Sequence, residues 1–500
     1  MLMSKREHNA KRGIYSHVLR YTGLFGGVQG IVVFLSFVRN KFAALFLGSV
    51  GIGIIDVYNR TNNLFTAFFS LVTPVAATRS LSVAYETGDK DKLAEQVRVI
   101  RSLTLLTAII GFVVSAVCSP LISYITYGNL SHYMSFLGIS PIIPMVILSG
   151  TELSILKATR ELGSFALSSF YGAVILAAVS IPLYVLLGIG GIIPALLIST
   201  FLILVVQLRF TLPLFPWRSN PFSLSTLKKG KDLIKLSVAY IMANVVASAV
   251  EFALRSYMIH NGDVNDVGFY SAGLVITVVA SRFLFVAMDA DFFPTLSGCG
   301  DSANKMNLVV NRQMEVCVLL IAPFLLMFNI FMPFIIQLLY TPHFMSILPM
   351  VVLASFYMFF KAVSTPVAYI ALARGDGKTY LVMETCYYVI LLVVVILCYH
   401  SYGLTGTGVA LSLTNFLETL ILASYYRCRY RFVISVRARH AIEIQGILLL
   451  LGVIVVFVLS GILRYAVGLP LGLLSVLYTF CVLSKRMDWR EVLHLKNPLK

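Results

Sequence analysis

Residues 165–209 read FALSSFYGAVILAAVSIPLYVLLGIGGIIPALLISTFLILVVQLR, two apolar segments (165–187 and 190–209) parted only by a glycine-rich turn. No Asp, Glu, Lys or Arg interrupts the run before Arg209. About 20 apolar residues cross a bilayer core as a helix, so the stretch predicts two membrane spans with almost nothing between them. Working outward, the same requirement places spans at 21–45, 51–78, 101–124, 136–156, 236–258, 267–289, 314–339, 345–371, 380–400, 404–425, 443–463 and 467–484. The expectation is an all-α polytopic membrane protein of about 14 transmembrane helices.

Composition supports this. Hydrophobic residues form 58% of the 500 and charged residues 12%, against roughly 45–50% and about 25% in soluble proteins. There is too little polar surface to coat a water-soluble globule. Seven cysteines lie scattered with no C-x-x-C pair, so neither a disulfide framework nor a zinc site is indicated, and no cofactor is expected. The first apolar stretch is too long for a removed signal peptide and reads as the first span.

The net charge of +17 concerns orientation rather than nucleic acid, because Lys and Arg placement sets membrane topology. Of the 39 Lys and Arg, 32 fall at the two ends and in the even-numbered inner loops. Both termini are therefore expected in the cytoplasm. The outer loops are short and no loop is long enough for a separate domain, which argues against a membrane-embedded glycan polymerase, ligase or acyltransferase. No H-E-x-x-H, Walker loop or G-x-S-x-G elbow occurs, and Gly375-Asp376-Gly377-Lys378 lacks phosphate-loop spacing. His132 and His343 have no carboxylate neighbour in sequence. The chain reads as a transporter and not an enzyme.

Spans 1–6 and 7–12 repeat each other at an offset of 213–216 residues. Arg39 matches Arg255, Gly53 matches Gly268, and Pro120-x-Ile-x4-Tyr127 matches Pro333-x-Ile-x4-Tyr340. Arg160-x-x-Gly163 matches Arg374-x-x-Gly377, and Gly188-x-x-Gly191 matches Gly403-x-x-Gly406. Six spans per unit give both halves the same polarity, the arrangement of parallel-repeat transporters. The expected organisation is an N-terminal six-helix lobe at 1–209, a cytoplasmic linker at 210–235, a C-terminal six-helix lobe at 236–430, and appended helices 13 and 14 with a basic tail at 431–500.

Charges in or beside the spans supply the candidate site. Arg39, Lys41, Arg60, Arg255, Arg282 and Lys361 together would cost roughly 15–20 kcal/mol if all faced lipid at mid-depth, so they must lie near an interface, be paired, or face a water-filled cavity. Snorkelling to the outer headgroups is the alternative for Arg39, Lys41 and Arg255. Lys361 ends an aromatic run (Phe356, Tyr357, Phe359, Phe360) that suits a phosphate beside a stacked sugar, with lipid-facing aromatics as the alternative. Acidic residues in or beside spans are Asp56, Glu152, Glu251, Asp289, Asp291, Glu384 and Glu418. Of these, Glu251, Asp289, Asp291 and Glu384 are the candidates for coupling-ion or gating carboxylates. Glu251 stands one helical turn before Arg255, a spacing that also explains it as an ion pair, and solvation at a helix end explains Asp289 and Asp291. An excess of cations suits an anionic substrate.

The segment Phe37-Val38-Arg39-Asn40-Lys41-Phe42-Ala43-Ala44-Leu45-Phe46-Leu47-Gly48, with Gly51 and Gly53, resembles the first span and turn of bacterial oligosaccharide flippases of the Wzx type, in the multidrug/oligosaccharidyl-lipid/polysaccharide (MOP) exporter superfamily. The likeness continues in Tyr85-Glu86-Thr87-Gly88-Asp89-Lys90-Asp91-Lys92, in the Arg-x-x-Gly loops and in the Gly-x-x-Gly openings of spans 6 and 12. The resemblance implies two lobes that alternate between inward and outward openings in the bacterial inner membrane. It implies an undecaprenyl-pyrophosphate-linked oligosaccharide as substrate, moved from the cytoplasmic to the periplasmic leaflet for O-antigen, capsule or exopolysaccharide. It carries a central-cavity role onto Arg39, which the repeat extends to Arg255, and it offers spans 13 and 14 a part in holding the lipid tail. Membrane lipid, a polysaccharide polymerase and chain-length proteins are the implied partners. The rival readings are a cation-coupled multidrug exporter of the same superfamily, which should carry a carboxylate in its first-lobe cavity where span 1 has none, and another secondary transporter.

Overall fold

The computed structural model describes the backbone of residues 2–217, 231–299 and 302–485; the side chains of 1–27, 29, 75, 218–237, 239–240, 279–291 and 293–294 lie outside the described residues. No β-strand occurs among them. The chain divides into two compact units, Met1–Gly268 and Phe269–Lys500.

The first unit holds α1 (Leu2–Phe69), α2 (Pro74–Glu86), α3 (Lys90–Val117), α4 (Ser119–Tyr127), α5 (Tyr133–Ile139), α6 (Ile142–Ala158), α7 (Leu162–Leu187), α8 (Ile192–Thr211), α9 (Lys231–Asn261) and the start of α10 (Val264–Ser297). The second holds the rest of α10 with α11 (Ala303–Ile330), α12 (Met332–Leu339), α13 (Leu348–Ala373), α14 (Gly377–Tyr430), α15 (Val436–Val458) and α16 (Gly461–Ser484). All fourteen predicted segments fall on these helices. Nine helical stretches among the described residues are long and apolar enough to cross a membrane. Large apolar side chains such as Leu186, Val117 and Ile462 stand exposed on them, as expected where lipid is the solvent.

The difference between nine and fourteen lies mainly in glycine breaks. The stretches Leu162–Thr211 and Gly377–Tyr430 run 50 and 54 residues, far beyond a bilayer at 1.5 Å per residue, and each contains two predicted spans. Gly188 (φ 56°, ψ −133°) and Gly403 (φ 57°, ψ −141°) turn the chain at matching positions, using backbone angles open to glycine and strained for other residues. A Cβ on Gly191 would lie 2.2 Å from the Leu183 carbonyl oxygen, and one on Gly406 lies 2.0 Å from that of Cys398. In one continuous helix residues eight apart would be separated by about 12 Å, so both breaks are hairpins. Gly48 (φ 66°) divides α1 in the same way, between the first two predicted spans.

The repeat is visible in the bonding. Asp89 caps α3 by accepting from the Asp91 and Lys92 amides, and Ser302 caps α11 by accepting from Lys305. The turn at Thr159, Arg160 and Glu161 has the same backbone bonds as that at Arg374, Gly375 and Asp376. Arg160 (φ 59°) is therefore equivalent to Gly375 (φ 70°), one residue away from the match expected from the two arginines. The helices also start earlier than the apolar segments, because α3 and α15 begin with charged turns that extend the helix past the hydrocarbon. Span 13 ends at Val458 and not at 463: Arg464 donates to the carbonyl oxygens of Leu459 (3.2 Å) and Val456 (3.4 Å), satisfying groups a helix C-terminus leaves open.

In the second unit α15 and α16 pack on α11. Gln445, fully buried, donates to Thr479 Oγ1 (2.9 Å) and accepts from Ser475 Oγ (2.6 Å), while Thr479 donates to the Leu319 carbonyl (2.7 Å). Asn307 and Asn311 bind the backbone of residues 431–435 like rungs, with Asn311 Nδ2 2.9 Å from the Val433 oxygen. The appended helices are thus tied into the unit by buried hydrogen bonds whose loss would leave polar groups unsatisfied.

Asp376, outside the spans, caps α14. The Thr379 amide, then the Tyr430 and Thr379 hydroxyls, and then Arg429 stabilise its carboxylate and lower its pKa from 3.8 to about 2. A folded pKa below the unfolded value adds stability that is present above about pH 4 and lost as pH falls through about 2. Exchange of the Thr379 amide, corrected for its intrinsic pH dependence, should accordingly rise between pH 4 and pH 2, and Asp376→Asn should flatten that dependence; an unchanged acid profile in the variant would assign it to other groups.

Candidate functional site

Two polar stripes face each other in the first unit. Along α1, Asp56, Arg60 and Asn63 recur at intervals that keep one helix face, with Ser70 just past its end; along α9, Asn244, Ser248, Glu251 and Arg255 do the same. At one end of the stripes four charges close a ring. Arg255 Nε lies 2.9 Å from Asp56 Oδ2, and its Nη1 pairs with Glu251 Oε2. Arg60 Nε lies 3.2 Å from Asp56 Oδ1, and its Nη1 is 3.7 Å from Glu251 Oε2. The Arg255 side chain is 1% exposed and that of Arg60 30%. Two cations and two anions make the ring formally neutral, and the pairing is what permits an arginine to be buried there.

Beyond the ring, at Asn63, Thr66, Ser70, Asn244 and Ser248, the stripes open into a cavity of about 320 Å³. On the far side of the ring from the cavity, the first turn of α10 crosses α1 very closely. A Cβ on Gly53 would lie 2.3 Å from the Val264 carbonyl oxygen, and one on Gly268 only 1.9 Å from that of Ser49. Ser49 Oγ also donates to Asn265 Oδ1 at 2.6 Å. Only glycine allows backbones to approach so closely at both points.

Of the residues proposed from sequence, Arg60, Arg255 and Glu251 meet in the ring. Arg39 and Lys41 lie half-buried on α1 ahead of Gly48, where the Arg39 guanidinium donates to Asn40 Oδ1 at 3.2 Å. The side chains of Arg282, Asp289 and Asp291, on α10, lie outside the described residues. Asp56 completes the ring and was not among the candidate site residues; its signal was local, an acid four residues before an arginine as in Glu251 and Arg255.

In the second unit Lys361 Nζ lies 3.5 Å from Glu418 Oε1 and 4.8 Å over the Tyr387 ring, while Ser364 Oγ donates to Glu418 Oε2 at 3.1 Å. Glu384 lies in electrostatic reach of Lys361 and accepts from the Tyr380 hydroxyl. Glu418, absent from the candidate set, is thus the direct partner of Lys361. The aromatic run before Lys361 neither faces lipid as a band nor stands open as a platform: Phe359 is buried in the unit's core, and Phe356, Tyr357 and Phe360 pack against it.

A further pair escaped sequence reading. Arg101 Nε and Nη2 meet Glu152 Oε1 and Oε2 at 2.9 and 2.7 Å, with side chains 1% and 0% exposed. Arg101 Nη1 also donates to the Phe215 carbonyl at 2.8 Å, and its guanidinium lies 5.0 Å over the Trp217 ring. Arg101 counted as an inner-loop cation in sequence, and 51 residues separate it from its partner; no local spacing could have revealed the pair.

A family model described as polysaccharide biosynthesis protein matches residues 64–349, more than half of the chain. The chain belongs to that family. No curated protein matches it. Among solved structures this family member is similar to the lipid II flippase MurJ in an inward closed conformation (TM-score 0.69, 14% identity, covering 92% of this chain and 99% of that one). It is also similar to an inward-facing multidrug resistance MATE family transporter of the MOP superfamily (0.69, 12%, 80% and 94%) and to an outward-facing one (0.53, 14%, 82% and 95%). At such identities the likeness establishes the fold, which is that of the MOP superfamily. The polysaccharide biosynthesis protein is a multi-pass membrane protein with that fold.

Proposed function

We propose that the protein is a non-enzymatic flippase. It moves polyprenyl-pyrophosphate-linked oligosaccharide, of the undecaprenyl type, from the cytoplasmic to the periplasmic leaflet of the inner membrane by alternating access. The two six-helix repeats at 1–209 and 236–430 act as the lobes, residues 431–500 are appended, and both termini lie in the cytoplasm. The observation that carries the reading is the ring of Asp56, Arg60, Glu251 and Arg255 at the head of a polar track. Paired guanidinium groups in a span can exchange their carboxylates for the oxygens of a pyrophosphate, which accept the same charge-assisted hydrogen bonds. The polyprenyl tail stays in lipid while the headgroup follows the track, and no covalent bond changes. Lipid-linked oligosaccharide and membrane lipid are the partners of this cycle, with a polymerase and chain-length proteins acting on its product.

The ring does place two carboxylates in the first unit, as a drug exporter would require, but each is engaged by arginine, which disfavours binding of an organic cation.

Depletion should leave polyprenyl-pyrophosphate oligosaccharide inaccessible to a periplasmic glycan-modifying probe, with loss of surface polysaccharide. Arg60→Ala, at a partly exposed site, should reduce surface polysaccharide about tenfold or more while protein abundance holds, the loss of a charge-assisted contact worth about 1.5–3 kcal/mol. Normal probe access and normal surface glycan on depletion would overturn the reading and favour cation efflux.

A further inference from the structure

We infer that the cavity beside the charge ring is a subsite for an uncharged sugar, the unit nearest the pyrophosphate. This rests on the reading of the protein as a flippase of lipid-linked oligosaccharide and names what that site selects. The cavity encloses about 320 Å³, at the lower end of the range for small-ligand pockets, about 300–1,000 Å³. Its polar lining consists of amides and hydroxyls: Asn63, Thr66, Ser70 and Thr73 on one side, Asn244 and Ser248 on the other. None of the lining residues carries a formal charge. Amides and hydroxyls both donate and accept, which suits the hydroxyl edge of a sugar ring. Pro74 and Ile147 supply an apolar wall suited to its C–H face.

Two further observations support this assignment. Thr66 lines the cavity and its buried hydroxyl has no hydrogen-bond partner among the described residues, so a turn of its side chain toward the cavity would let a ligand hydroxyl satisfy it. The cavity also lies in register with the ring: Asn63 follows Arg60 by three residues and Ser248 precedes Glu251 by three, so each is one helical turn away. A pyrophosphate held by Arg60 would bring its first sugar to these amides. A uronic acid in the same place would bury a carboxylate with no cation in the lining to offset its desolvation.

The test uses the full-length protein in lipid nanodiscs and three probes: a short-chain prenyl pyrophosphate, the same compound bearing a neutral N-acetylhexosamine, and the same bearing a hexuronic acid. The neutral sugar should raise affinity over the bare compound about tenfold, the worth of one or two net hydrogen bonds, and the uronic acid should not. Asn63→Ala and Asn244→Ala, both at exposed positions, should each bring the neutral-sugar compound toward the affinity of the bare one. If either variant loses its cooperative melting, Ser248→Ala is read in the same way. An increment that survives these substitutions, or equal gains from neutral and acidic sugars, would overturn the subsite. If the bare compound binds and sugar adds nothing, the subsite alone falls; if no prenyl pyrophosphate binds, the flippase reading falls with it.

Discussion

Arg255→Ala is expected to cost the protein up to about 3–5 kcal/mol of stability, because it leaves two carboxylates with a single, partly exposed arginine, Arg60, between them. Arg255 pairs with both Asp56 and Glu251 and is nearly inaccessible, so water cannot take its place cheaply. Abundance should fall and surface polysaccharide should disappear, and those two effects have to be separated. The variant Arg255→Met with Asp56→Asn keeps shape and leaves Arg60 balanced by Glu251, and it should recover most of the melting temperature. It should still fail to export glycan if the arginine binds the pyrophosphate. Recovery of surface polysaccharide together with stability would assign Arg255 a structural role only.

Glu152→Ala should show the opposite division. It leaves the Arg101 guanidinium buried with two carbonyl contacts, to Phe215 and Pro216, and no counter-charge, again a loss of about 3–5 kcal/mol, but on a pair outside the polar track. Replacing both partners with apolar residues, Arg101→Met with Glu152→Leu, should restore stability to near the starting value, as buried ion pairs often tolerate. Transport per folded molecule should then be close to normal. Hydrogen exchange at residues 214–217 should nevertheless rise in the double variant, because Arg101 is what holds the Phe215 carbonyl and the Trp217 ring. Unchanged exchange there would show that other contacts fix the segment.

Much of the architecture was legible because lipid imposes a simple rule. Runs such as 165–187 and 190–209 have to be helices, and the turn at Gly188 is written in the same residues as that at Gly403. What composition could not show was where helices exceed the hydrocarbon, as α3 does from Lys90, capped by Asp89. The site was half legible. Glu251 and Arg255, or Asp56 and Arg60, advertise themselves by a one-turn spacing, but their union across α1 and α9 is a contact between residues 199 apart. Lys361 illustrates the limit differently. Its aromatic neighbours read in sequence as a platform or as lipid-facing, whereas Phe359 is core and the others pack half-buried against it, and its partner Glu418 lies 57 residues on.

The crossing of α1 and α10 has a symmetry of its own. Gly53 meets the backbone at 264 and Gly268 meets it at 49, and one 215-residue shift carries Gly53 onto Gly268 and position 49 onto 264. Position i touches j′ and position j touches i′, which is the defining property of an isologous contact between identical subunits. Two separate copies of a single six-helix chain could form it without being fused. In such a dimer, one mutation would have appeared at both glycines at once; in the fused chain each can change alone. A bulky residue at either position would now break a two-fold contact from one side only, so the two sites should tolerate change equally poorly.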